Sequence, residues 1–181
     1  MAKARRAPGF HVLYPISGNP PSWGHADVME RAARIFDHVT WALAVNPGKE
    51  YLFSGPERRA MMEDYIRHFG LKNVTVTEYR GATVRFAERI GARLIIKGLR
   101  NASDLQAELE QATGNRNLNP KIETVTLFTT PRYSVISSGL IRELALLGES
   151  IEPYVLGSVA KQVARILKSR GAAAPGAKRA R

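Results

Sequence analysis

The chain has 181 residues, about the size of one domain. It has no cysteine, which excludes disulfides and thiolate metal sites, and no apolar run near the roughly 20 residues of a membrane span. Eight of its 27 basic residues lie in the two ends, which hold no acidic ones; the body keeps 19 basic against 16 acidic residues, so a net charge of +11 shrinks to +3 there.

The start, "MAKARRAPGF", is basic but lacks the apolar stretch of a secretory signal, so a cytoplasmic location is expected. We read residues 1–9 as a basic extension, 10–170 as one domain and the small, basic 171–181 as a disordered tail. Such ends bind polyanions weakly and in a salt-dependent way, so no nucleic-acid partner is expected beyond weak contacts of these ends.

"HVLY" (11–14) reads as a first strand, and "ADVMERAARIF" (26–36) as a helix from its apolar spacing. "VTWALAV" (39–45) is a continuous apolar run, as in a strand buried on both faces. The pattern then predicts a helix over 55–69 with proline in its first turn, a strand over 73–79, a short helix over 83–91 and a buried strand over 92–98. A capped helix over 103–118, a fifth strand over 122–128 and helices over 137–148 and 154–169 complete the chain. Strands alternating with helices specify α/β architecture, a doubly wound, five-stranded parallel sheet.

Ligands of such sheets bind beyond the carboxyl ends of the strands. Four segments fall there: "PISGNPPSWGH", "NPGK", "KGLR" and "ISSGLIR". His25, after Gly24, opens the first helix, where N–H groups and the helix dipole favour anions. Alone, the pair is equally a capping feature. Lys49 follows a turn that projects it outward, as a surface lysine would be. Lys97 and Arg100 share one strand end and repel unless an anion lies between them, with pairing to Asp104 or Glu108 as the alternative. Ser137 and Ser138, with Arg142 a turn on, make either an ordinary cap or a phosphate clamp. Together the four favour a polyphosphate ligand. They offer cations and donors but no Ser-His-Asp order. Nucleotidyl transfer to a phosphate acceptor suits them, because an ionised phosphate needs no general base.

From about Phe10 to Ser169 the sequence resembles the bacterial phosphopantetheine adenylyltransferases, which carry an (S/T)xGH motif. "SWGHADVMERAARIFDHV", "AVNPGKEYLFSGPERRAMM", "IIKGLRNASDLQAELEQATGNRNLNP", "IETVTLF" and "ISSGLIREL" carry the resemblance. It implies a Rossmann-like nucleotidyltransferase fold, adenylyl transfer from ATP to 4′-phosphopantetheine, Mg²⁺ arriving with ATP, no dedicated metal ligands, and a homo-oligomer, commonly a hexamer. By resemblance His25, Lys49 and Arg100 are the catalytic set, with His25 stabilising the transition state at the α-phosphate. ATP would be held by Ser17, Gly18, Gly24, His25, Gly98, Arg100, Glu108, Ser137 and Ser138, with Glu108 near the ribose. The acceptor would meet Ser17, Lys49, Thr83, Lys97 and Asn115.

The departures cluster on the acceptor side. The family's usual P-G-T-F-D-P is here Pro15-Ile16-Ser17-Gly18-Asn19-Pro20, and its "RGLR" is Lys97-Gly98-Leu99-Arg100. Ala82 and Thr83 replace an apolar pair, Ala107 a tyrosine, and Gln111 and Gly114 large apolar residues. Two further readings therefore stay open: a relative that acts on another phosphate acceptor, and a nucleotide-binding protein without catalysis.

Overall fold

The computed structural model describes residues 9–171; the basic extension up to residue 8 and the tail from 172 lie outside the described residues. Five parallel strands form one sheet in the order β3-β2-β1-β4-β5. They are β1 (His11–Ile16), β2 (His38–Val45), β3 (Val74–Arg80), β4 (Leu94–Leu99) and β5 (Glu123–Phe128). The helices are α1 (Trp23–Ile35), α2 (Gly55–Phe69), α3 (Thr83–Arg89), α4 (Ala102–Leu118), α5 (Ser138–Leu146) and α6 (Gly157–Ser169). A short 3-10 turn, Pro131–Tyr133, follows β5 and was not legible in the pattern.

The sheet is covered on both faces. On one, Val12, Tyr14, Trp41 and Leu43 pack against Met29, Met62, Tyr65, Ile141 and Val163 of α1, α2, α5 and α6. On the other, Leu13, Ala42 and Ile95 meet Val84, Phe86 and Ala87 of α3. Central strands buried on both sides explain why 39–45 reads as an unbroken apolar run. Two helices begin at other residues than the apolar pattern gives. α1 starts at Trp23, because Ser22 is its N-cap, so His25 lies at the third helical position instead of opening the helix. α6 starts at Gly157, three residues after the predicted 154. α2 carries a capping box in which the Ser54 amide donates to Glu57 Oε2 at 2.7 Å, and it ends on Gly70 at φ +63°.

One feature of the pairing makes the site. β1 and β2 pair over six residues, but β1 and β4 pair only at Val12 with Leu94 and Leu13 with Ile95. Beyond those residues the chain order reverses and the carboxyl ends part, as at the switch point of doubly wound sheets. Leu43, fully buried on β2, supports the loop after β1, for a Cβ on Gly18 would come 3.1 Å from its Cδ2. Gly18 itself has φ +53°, a conformation that favours glycine. Leu43→Ala should lower unfolding free energy by about 2–5 kcal/mol, measured by denaturant titration.

No helix of the described residues is long and apolar enough to cross a membrane.

Candidate active site

The parting of β1 and β4 opens a cavity of about 500 Å³. Its walls come from the four segments that the sequence places at the strand ends. Tyr14 and Ser17 stand on one side, Lys97, Gly98 and Arg100 on the other. Gly24 and His25 reach it from α1, Lys49 from the loop after β2, and Ser137 and Ser138 from the start of α5. A side chain at Gly98 would crowd the wall: a Cβ there would come 3.0 Å from Val28 Cγ2, which would have to shift, with the Tyr14 hydroxyl 3.6 Å away.

His25 has a fixed tautomer. The Ser22 amide donates to its Nδ1 at 3.2 Å, and the Ser22 hydroxyl lies 2.8 Å from the same nitrogen. An acceptor at Nδ1 leaves the proton on Nε2. Burial, and then the nearby Arg100, lower its pKa to about 4. His25 is thus a neutral N–H donor at pH 7, suited to a developing negative charge rather than to proton transfer. Burial also pushes the Tyr14 hydroxyl well above the usual tyrosine range, with Asp27 and Glu108 adding to it, so it stays protonated.

The two cations at the end of β4 are paired separately. Arg100 meets Asp104 through two bonds of 2.9 Å and donates to the Ile136 carbonyl at 3.1 Å. Lys97 lies 2.7 Å from Glu108 Oε2 and donates to Gln111 Oε1 at 2.8 Å. Both carboxylate partners weighed from the sequence are used, one by each cation. Lys49 differs: it is exposed, and no carboxylate of the described residues lies within ion-pair distance. The Asn46 side chain accepts from the Gly48 amide at 2.9 Å and shapes the turn that carries it.

The serines of "ISSGLIR" act on the protein itself in this structure. Ser137 Oγ caps α5 by accepting from the Leu140 amide at 3.1 Å. Ser138 donates to the Pro20 carbonyl at 2.7 Å, and Arg142 donates to the Asn19 carbonyl at 2.6 Å. Asn19, where the family has aspartate, is buried and accepts from the Phe53 amide at 3.0 Å. The opening loop is therefore held from α5 and from the segment before α2.

Of the sequence-predicted residues, Gly18 and Asn115 do not line the cavity: Gly18, in the opening loop, packs against Ile16 and Leu43, and Asn115 is buried in α4. Of the altered acceptor-side positions, Thr83 and Gln111 line it, whereas Ala82, Ala107 and Gly114 do not. Tyr51 and Tyr79 line it and were not anticipated. Tyr79 lies 2.8 Å, hydroxyl to hydroxyl, from Thr83. Alternation in "NVTVTEY" sets Tyr79 on the face of Thr75 and Thr77, opposite Val74 and Val76, so its burial with Leu13 and Val84 against α3 was not signalled by the strand pattern.

The sequence and the fold are similar to those of known proteins over most of the chain. A cytidylyltransferase-like family model matches residues 17–144. A phosphopantetheine adenylyltransferase of Gloeobacter violaceus is 41% identical over 164 residues, 91% of this chain and 98% of that protein. One of Desulforudis audaxviator is 46% identical over 144 residues, 80% of this chain and 87% of that protein. The solved structure of Plasmodium falciparum nicotinic acid mononucleotide adenylyltransferase complexed with NaAD has the same fold, with a TM-score of 0.65 at 12% identity over 87% of this chain and 95% of that one.

Proposed function

The chain belongs to the cytidylyltransferase-like family and, within it, to the phosphopantetheine adenylyltransferases, and we propose that it joins the adenylyl group of ATP to 4′-phosphopantetheine, giving dephospho-CoA and pyrophosphate. The observation that carries this reading is the gathering of His25, Lys49 and Arg100 around one cavity at the switch point. An oxygen of the acceptor phosphate attacks the α-phosphorus, and the bond to the bridging oxygen breaks, so pyrophosphate leaves with the electron pair. No proton must be removed. His25 donates its Nε2 proton in a hydrogen bond to an α-phosphoryl oxygen, and Lys49 aligns the reacting phosphates.

The charge balance supports Mg²⁺ arriving on the triphosphate. Lys97 and Arg100 are neutralised by Glu108 and Asp104, and both carboxylates are thereby occupied. Among the described residues no three His, Asp or Glu side chains cluster to hold a metal. The ion would shield the phosphates from one another. Self-association into a hexamer is implied by the family and supported by exposed Leu105 and Leu109 on α4 and Phe128 at the end of β5. Sedimentation should give a mass several times 20.0 kDa.

The function is tested by pyrophosphate release from ATP and Mg²⁺, which should require 4′-phosphopantetheine. ATP binding without that turnover would refute it. One observation favours a second reading, another phosphate acceptor: beside Tyr79 and Lys97, the wall residues Thr83 and Gln111 are polar where the family's are apolar. The same wall also suits the amide and hydroxyl groups of pantetheine. With that acceptor Gln111→Leu should raise its KM about tenfold in steady-state kinetics, since Lys97 and an amide of the arm lose a partner, and leave the KM of ATP unchanged. A fall in KM would mean that the arm prefers an apolar wall.

A further inference from the structure

α2 turns one residue inward that its charge would place in solvent. Arg58, Met61, Met62 and Tyr65 form its buried stripe, and Arg58 is only 2% exposed. Among the described residues no carboxylate lies within ion-pair distance of its guanidinium, and its Nε is buried without a partner. Burying a cation in this way opposes folding. Burial lowers its pKa from the ordinary arginine value, and the groups that counter the shift are Tyr51 and, at longer range, Glu78.

What Arg58 touches gives the reason to keep it. Its Nη1 donates to the Ser17 carbonyl at 2.7 Å. Its guanidinium carbon lies 4.1 Å from the centre of the Tyr51 ring. The Tyr51 hydroxyl donates to the Ala44 carbonyl at 3.1 Å and accepts from the Asn46 amide at 3.0 Å, which closes the loop that carries Lys49. Ser17, Tyr51 and Lys49 all line the cavity. One buried cation therefore ties the opening loop to the lysine loop from beneath. Its charge also adds positive potential to a cavity whose other internal cations are neutralised.

We propose that Arg58 is a positioning residue for an anionic subsite between Ser17 and Lys49, holding both loops in register and lending that subsite its charge. This rests on the reading of the cavity as the seat of a phosphate acceptor.

Two variants of the full chain, compared with the parent, test it: Arg58→Met, of similar length without charge, and Arg58→Lys. Thermal unfolding, KM for each substrate and titration with inorganic phosphate are measured on each. Arg58→Met should melt no lower than the parent, because an unpaired buried charge is removed. It should raise the acceptor KM and weaken phosphate binding by about tenfold, with the KM of ATP within about twofold. Arg58→Lys should recover most of the phosphate affinity. Should Arg58→Met not fold, Arg58→Lys decides: the proposal expects a selective rise of a few-fold in acceptor KM from loss of the Ser17 bond. Unchanged acceptor KM and phosphate affinity would overturn the proposal. So would a lower melting temperature with both KM values raised alike, which is the mark of structural support alone. Should the parent turn over no 4′-phosphopantetheine, the proposed function fails, and the phosphate titration still judges Arg58: parent binding weakened in the variants upholds it, and no parent binding refutes it.

Discussion

Replacing His25 by alanine should lower kcat by about a hundred- to a thousandfold while the KM of ATP stays nearly constant, the effect of removing one donor aimed at a developing charge. The ring is held for that task. Ser22 fixes Nδ1 as an acceptor from two sides, so Nε2 carries the proton. With a pKa near 4 the ring is neutral across the working range. The pH profile of kcat should therefore be flat through pH 6.5, where an ordinary histidine titrates. A step there that vanishes in His25→Ala would contradict a neutral donor. Stability carries a second signature. The folded pKa is depressed, so as pH falls below about 6.5 the unfolded chain takes up this proton first. Stability from the neutral ring is full above that pH and declines towards pH 4, by on the order of 3 kcal/mol. Urea titrations of parent and His25→Ala at pH 7 and pH 4.5 should show the parent losing more. The variant also gives up the pairing with Ser22 at the start of α1, at a cost of about 1 kcal/mol at pH 7.

Lys49→Ala should lower kcat/KM for the acceptor about a hundredfold without changing stability. Lys49 is exposed on a short loop and bonds no carboxylate, so its loss leaves nothing buried and unpaired. Its value lies in being uncompensated. Lys97 and Arg100 are already matched by carboxylates, which leaves Lys49, among the described residues, as the cavity-lining cation free to meet phosphate. Lys49→Arg should restore only part of the activity, because a planar fork does not occupy the position of a point charge. Equal activity of Lys49→Ala and the parent would show that the reacting phosphates are held elsewhere.

Much of this was legible in the sequence, for identifiable reasons. The unbroken apolar run of β2 and the Ser54-Glu57 box and Gly70 stop of α2 are local signals, and the structure uses them locally. Asp104 and Glu108 could be named as partners because both fall within a few turns of the cations they meet. Partners distant in the chain were not legible. The bond from Ser138 to the Pro20 carbonyl, 118 residues away, could not be read from the sequence, although Ser138 also lines the cavity. Arg58 resembles a solvated charge until Ser17 is found above it, although its spacing from Met61, Met62 and Tyr65 marks the buried face. The parting of β1 from β4 depends on strand order and leaves no mark in either strand. Asn115 was placed at the site by resemblance; it shares the face of α4 that carries Glu108 and Gln111 but lies one turn beyond Gln111, the last residue of that face to line the cavity.

The central claim is that this cavity transfers an adenylyl group to a pantetheine phosphate. Its most direct test is mass spectrometry of the acceptor after reaction with ATP and Mg²⁺. The account predicts that 4′-phosphopantetheine gains one adenylyl group, with one pyrophosphate released per product formed, and that His25→Ala abolishes nearly all of it. An acceptor recovered unmodified while ATP binds the cavity, or adenylylation of another phosphate ester in its place, would contradict it.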